Sequence, residues 1–118
     1  MTRIRRGSRL TIILACLFYI IPPQVADAST TSQGYVTGVV PTAGGAVFFY
    51  VDGTRSTPPG CASGQPRWTI DATTTAGQAM TAAILTAFSA HQHITVFGTS
   101  SCDTSSDSEN VAFFLIEH

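Results

Sequence analysis

Arg3, Arg5, Arg6 and Arg9 stand ahead of a twelve-residue apolar run, LTIILACLFYII at 10–21, which Pro22 and Pro23 bring to a stop. A positive stretch, a short apolar core and small side chains just before a cut, here Ala26 and Ala28, form the pattern of a secretory signal peptide. The run is shorter than the about 20 apolar residues that a membrane-spanning helix needs. Ile13-Leu14-Ala15-Cys16 approximates a lipobox, but Cys16 lies in the middle of the run, and cleavage there would leave LFYII exposed. The expectation is a signal peptide at 1–28, cleaved after Ala28, and one domain at 29–118. The membrane is involved only through that segment before cleavage, and the domain is expected to be secreted or periplasmic.

The leader also decides what the domain has to fold with. Its removal takes away Cys16 and leaves Cys61 and Cys102, an even pair in an oxidising compartment, which reads as a disulfide. A redox pair would have C-x-x-C spacing and basic neighbours, and neither is found. Closing a loop of this length is worth about 4 kcal/mol in the chain-entropy account, comparable with the whole net stability of a small domain. The charge divides at the same place. The full chain nets −1, yet residues 29–118 hold only Arg55 and Arg67, with no Lys, against Asp52, Asp71, Asp103, Asp107, Glu109 and Glu117, a net of −4. Nucleic-acid affinity rests on many Lys and Arg that neutralise phosphates, so no nucleic-acid partner is expected.

Along the domain, the polar stretch Ser29 to Gln33 is expected to form a loose arm. Alternation from Tyr35 to Val40 suggests a strand at 35–40. Pro41 ends it, Gly44-Gly45 supply a turn, and AVFFYV at 46–51 is a second strand, completing a hairpin. Residues 54–66 are too rich in Pro, Gly and Ser for anything but loop. A short strand follows at 67–70, with Trp68 and Ile70 on one face. A single helix is expected at 75–90, opened by capping-box spacing at Thr75 and Gln78 and striped by Met80, Ala83, Ile84, Ala87 and Phe88. Strands at 94–98 and 111–116 flank an acidic, Ser-rich loop at 99–110. The order β-β-β-α-β-β gives a β-rich α+β fold: a small OB-like five-stranded antiparallel barrel, or an open sheet of the same elements, with one helix between the third and fourth strands.

Few residues suggest chemistry. His91 and His93 form an H-x-H pair, and with Asp103, Asp107 or Glu109 they outline a small metal-dependent hydrolytic enzyme. The plainer reading has both imidazoles solvated near a helix C-terminus, where they favour the dipole. Asp107 and Glu109 sit in a polar run and are expected to be solvated rather than paired for glycoside chemistry. There is no G-x-S-x-G elbow, and Gly44-Gly45 joins two strands rather than a strand and a helix, so it is no phosphate loop. No catalytic residue, metal ligand or cofactor is therefore assigned. The aromatics say more. Phe48, Tyr50, Phe113 and Phe114 lie on strands that are apolar on both faces, while one helix covers only part of a sheet, so they are expected at an interface. Arg67 and Trp68 could form a sugar platform, with the indole stacking on a ring and the guanidinium bonding its hydroxyls. The alternative keeps Trp68 in the core with Arg67 as its solvated neighbour.

The stretch Arg67-Trp68, the segment Ala76-Gly77-Gln78-Ala79-Met80 and the turn Gly98-Thr99 to Cys102, with Cys61 ahead of them, resemble a group of short secreted proteobacterial proteins, mostly uncharacterised. They share an R-W strand, an A-G-Q-A-M helix start and a G-T-x-x-C turn, and the likeness covers about residues 36–116. Where that group places a Gly at the helix end, this chain has Ala90-His91-Gln92. More remotely, the element order is similar to the OB-fold B subunits of the subtilase-cytotoxin and pertussis-like type. That likeness implies an oligomeric, glycan-binding domain and carries over no binding residue. The expected function is a non-enzymatic module that forms a homo-oligomer or binds a glycan or protein partner. The alternatives are the His91/His93 enzyme and a monomeric envelope inhibitor or stress protein.

Overall fold

The computed structural model describes residues 29–118. The leader, its cleavage site and Cys16 lie outside the described residues. The elements are β1 (Gly34–Pro41), β2 (Ala46–Val51), a 3-10 turn (Gly60–Ala62), β3 (Trp68–Asp71), α1 (Thr75–Ser89), β4 (His93–Gly98) and β5 (Glu109–Glu117). The strands close in a ring ordered β1-β2-β3-β5-β4, and β4 returns to β1 through Gly34–Ile94 and Tyr35–His93. This is the OB-like, β-rich α+β arrangement, with α1 between β3 and β4. One seam departs from the antiparallel expectation, because β3 and β5 run parallel through Trp68–Glu109 and Thr69–Asn110. The count of strands requires it. Around a closed ring of five, direction cannot alternate at every seam, so at least one pair must be parallel and the sheet is mixed.

The interior follows from alternation along the strands. Phe49, Trp68, Ile70, Ile94 and Val96 point inward and are almost fully buried, joined by Ile84 and Ala87 of α1. The helix packs on β1 and β3. Phe88, expected in its apolar stripe, is instead 44 % exposed. The helix start also lies one residue from the expected box. Thr74 is the cap, its Oγ1 accepting from the Gly77 N–H at 2.9 Å, while Gln78 reaches the Ala72 carbonyl at 3.2 Å. Thr74 is held there by donating to the Asp71 carbonyl at 3.0 Å. Gly77 packs so tightly on that same carbonyl that a Cβ would collide with it.

The N-terminal arm is not loose. Thr31 donates to the Val96 carbonyl at 2.9 Å and Gly98 to the Ser29 carbonyl at 2.8 Å. On the arm's other side Ser32 donates to Thr54 and Ser56 to Thr30, each at 2.8 Å. Ser29 and Thr31 are buried as a result. The cause is the short β1–β4 pairing, which spans two residues and leaves the later main-chain groups of β4 inside the protein without a partner strand. Buried backbone groups must be paired, and the arm supplies what β1 does not.

Candidate functional site

Both arginines of the domain lie over aromatic rings and end on carboxylates. Arg55 places its guanidinium 4.0 Å from the Trp68 ring centre and its Nη2 2.5 Å from Glu109 Oε1. It also donates through Nη1 to the Gln65 carbonyl at 3.1 Å. Glu109 is wholly buried, because β5 begins two residues before the expected 111 and brings Glu109 opposite Trp68. Its carboxylate further accepts from the Ser29 hydroxyl and from the Ser100 N–H at 2.9 Å. The reading of Glu109 as a solvated loop acid is thereby corrected. Gly98 leaves room for this group, since a Cβ there would run into the Glu109 carboxylate.

Arg67 repeats the arrangement nearer the surface. It lies 4.0 Å from the Phe48 ring centre, contacts both Asp107 oxygens at 2.9 and 3.0 Å and donates to Ser108 Oγ at 2.7 Å. These bonds from Arg67, then those from Ser105 and Ser108, hold the Asp107 carboxyl below the usual carboxylate range. Trp68, 1 % exposed, faces the core with Arg55 across its ring, so Arg67 and Trp68 point to opposite sides of β3 and do not form one platform. The disulfide Cys61–Cys102 is formed, with Cα atoms 6.2 Å apart. It ties the 3-10 turn to the loop that precedes β5, and such a bridge persists in an oxidising compartment. No helix among the described residues is long and apolar enough to cross a membrane.

The histidines gather around an aromatic ring rather than around acids. His91 stacks on Tyr35 with ring centres 3.9 Å apart and planes 2° from parallel, and His93 tilts onto the same ring at 4.2 Å. Asp103 accepts from Ser101, Asp107 faces Arg67 and Glu109 faces Arg55. The imidazoles stand at the start of β4 and the acidic loop at its end, which at about 3.3 Å per residue separates them by roughly 17 Å. Among the described residues no three of His, Cys, Asp and Glu come together to hold a metal. A cleft of about 260 Å³ opens where β3 and β5 diverge beside the start of α1, bordered by Thr69, Met80, Asn110 and Ala112. Asn110 turns its side chain away, to the Asp103 and Thr104 N–H groups at 2.9 and 3.1 Å.

One apolar patch stands open to solvent, on the outer face of β4 and β5. On β4, Ile94, Val96 and Gly98 are buried and the residues between them face outward. On β5, Phe113 pairs with Phe97 and Leu115 with Thr95 on that outer face. Phe113 is 53 % exposed and Leu115 47 %, and the Phe97 and Phe113 rings stack 4.5 Å apart. Of the four aromatics expected at an interface, Phe113 is thus presented outward. Phe114 packs against the core, Phe48 lies under Arg67, and Tyr50 is half-buried on β2. No motif singles out Arg55, although a domain without Lys that keeps two Arg keeps groups suited to flat stacking and forked bonding. No protein-family profile, curated protein or solved structure matches this chain.

Proposed function

We propose that the domain is an exported, secreted or periplasmic, non-catalytic binding module that works by holding another protein surface against the outer face of β4 and β5. The exposed, stacked patch of Phe97, Phe113 and Leu115 carries this reading. A small folded domain gains nothing by leaving its large apolar side chains half in water, and contiguous exposed patches of this kind mark interaction sites. The charged groups support it from the other side. Arg55, Arg67, Asp107 and Glu109 are engaged with one another, so the strongest polar groups of the domain serve its interior and its loops rather than a ligand. A sugar stacking on Trp68 would find its ring already covered by Arg55, which favours a protein partner over a glycan.

The test compares the mature chain with a Phe113→Ser, Leu115→Ser double variant. Both positions are about half exposed, so the variant should melt within a few degrees of the native chain. The native chain is expected to bind an apolar fluorescent dye or to assemble, and the variant to do neither. A native chain that stays monomeric and leaves the dye free overturns the proposal. So does glycan-array binding that survives both substitutions.

A further inference from the structure

We infer that the chain pairs with a second copy of itself, strand to strand along the open edge of β5, which borders the outer apolar face. This rests on the binding reading above and deepens it, because the pairing joins two such outer faces into one larger binding surface. One side of β5 is paired with β4 from Val111 to Glu117. On the other side only Glu109 and Asn110 are paired, with β3, and the start of α1 borders the strand at Val111 and Ala112. From Phe113 to Glu117, among the described residues, no strand lies along that second side. Every other residue there presents its main-chain N–H and C=O outward, a template for a further strand.

Strand edges that remain single in water are blunted by Lys, Pro or charges pointing across the edge. None of these occurs between Val111 and Ile116, which read VAFFLI. Phe113 and Leu115 are exposed on one face of the strand and Ile116, at 39 %, on the other. A row of main-chain donors and acceptors flanked by apolar side chains takes an extended peptide strand, not a lipid or a sugar. The only charge on this edge is Glu117 at its end, bonded to Gln33, so no run of charge along the strand recruits a partner of opposite charge.

The strand is compatible with itself. A two-fold antiparallel pairing centred on Leu115 sets Leu115 against Leu115 of the other copy, Phe114 against Ile116 and Phe113 against Glu117. Apolar groups meet across the middle and no carboxylate faces another. Side chains opposed in this way share a face, so the two outer patches merge into one surface across a four-stranded sheet, β4-β5 of one copy continuing into β5-β4 of the next. Each body carries −4, so association should tighten as salt screens the repulsion.

The experiment uses the mature chain at 29–118. Sedimentation equilibrium over a hundredfold range of concentration, at low and high salt, is expected to show a monomer–dimer equilibrium that strengthens with salt. Amide hydrogen exchange on the same samples is expected to slow at least tenfold with concentration at alternate residues of Phe113–Glu117, while amides already bonded to β4 stay as they were. A Leu115→Lys chain, with a melting point close to native, should be monomeric. A dimer that leaves every β5 amide unchanged overturns strand pairing while the exposed-face reading stands. A chain that stays monomeric yet binds the apolar dye through Phe113 and Leu115 overturns the second copy as partner and leaves the binding module. A monomer that binds no dye removes both.

Discussion

At Arg55 and Glu109 the domain keeps an ion pair inside a small apolar core, with Trp68 stacked against the cation. Taking two charges out of water is repaid only when each is fully bonded, and here Ser29 and Ser100 complete the carboxylate's shell. Glu109→Gln is therefore expected to lower unfolding free energy by about 3–5 kcal/mol, because it strands the guanidinium without its counter-charge. Urea unfolding followed by Trp68 fluorescence measures this, and replacing both partners by apolar residues of like size should cost less than either single change. None of this could be read locally. The neighbours of Glu109 are Ser, Asp and Asn, the composition of a loop, whereas its burial is decided by an arginine 54 residues away. Trp68 and Ile70 were legible as an inward pair because alternation is a property of the strand itself.

The end of α1 shows how one element is closed against another. His91 takes a left-handed φ of 50°, and the bonds His91 N–H to Phe88 and Gln92 N–H to Ala87, at 3.4 and 3.0 Å, are those of a helix end that usually holds Gly at this position. The stack on Tyr35 offsets the backbone cost. Relief of a left-handed non-glycine residue is worth about 1–2 kcal/mol, and an aromatic pair about 0.5–1.5 kcal/mol. In the native chain His91→Gly should thus change stability little. In a Tyr35→Ala background the same substitution should stabilise by about 1 kcal/mol, and a four-way thermal unfolding cycle reads the difference. Strand and helix limits were legible within two residues, since periodicity and turn residues are local signals. The arm was not, because Ser29 to Gln33 has the polarity of a loop and owes its order to groups that β1 leaves unpaired on β4.

For the molecule as a whole, the disulfide joins the loop that leads into Arg67 to the loop that carries Arg67's partners and the entry to β5. Reduction, or Cys61→Ala with Cys102→Ala, is expected to cost about 4 kcal/mol, seen as a lower urea midpoint with the slope little changed. The element order made the OB-like ring legible, and the odd strand number already contained its parallel seam. The side of the ring left uncovered depends on where each strand stops, which periodicity does not report. The stitched arm has a consequence in time. The Ser29 and Gln33 side chains find their partners 80 and 84 residues further along, in Glu109 and Glu117, and contacts of such separation form late. A chain that emerges N-terminus first therefore presents these two side chains long before their partners. The arm's main chain can meet Thr54 and Ser56 early, but the bonds of Ser29 and Gln33 to Glu109 and Glu117 wait until the final strand has emerged.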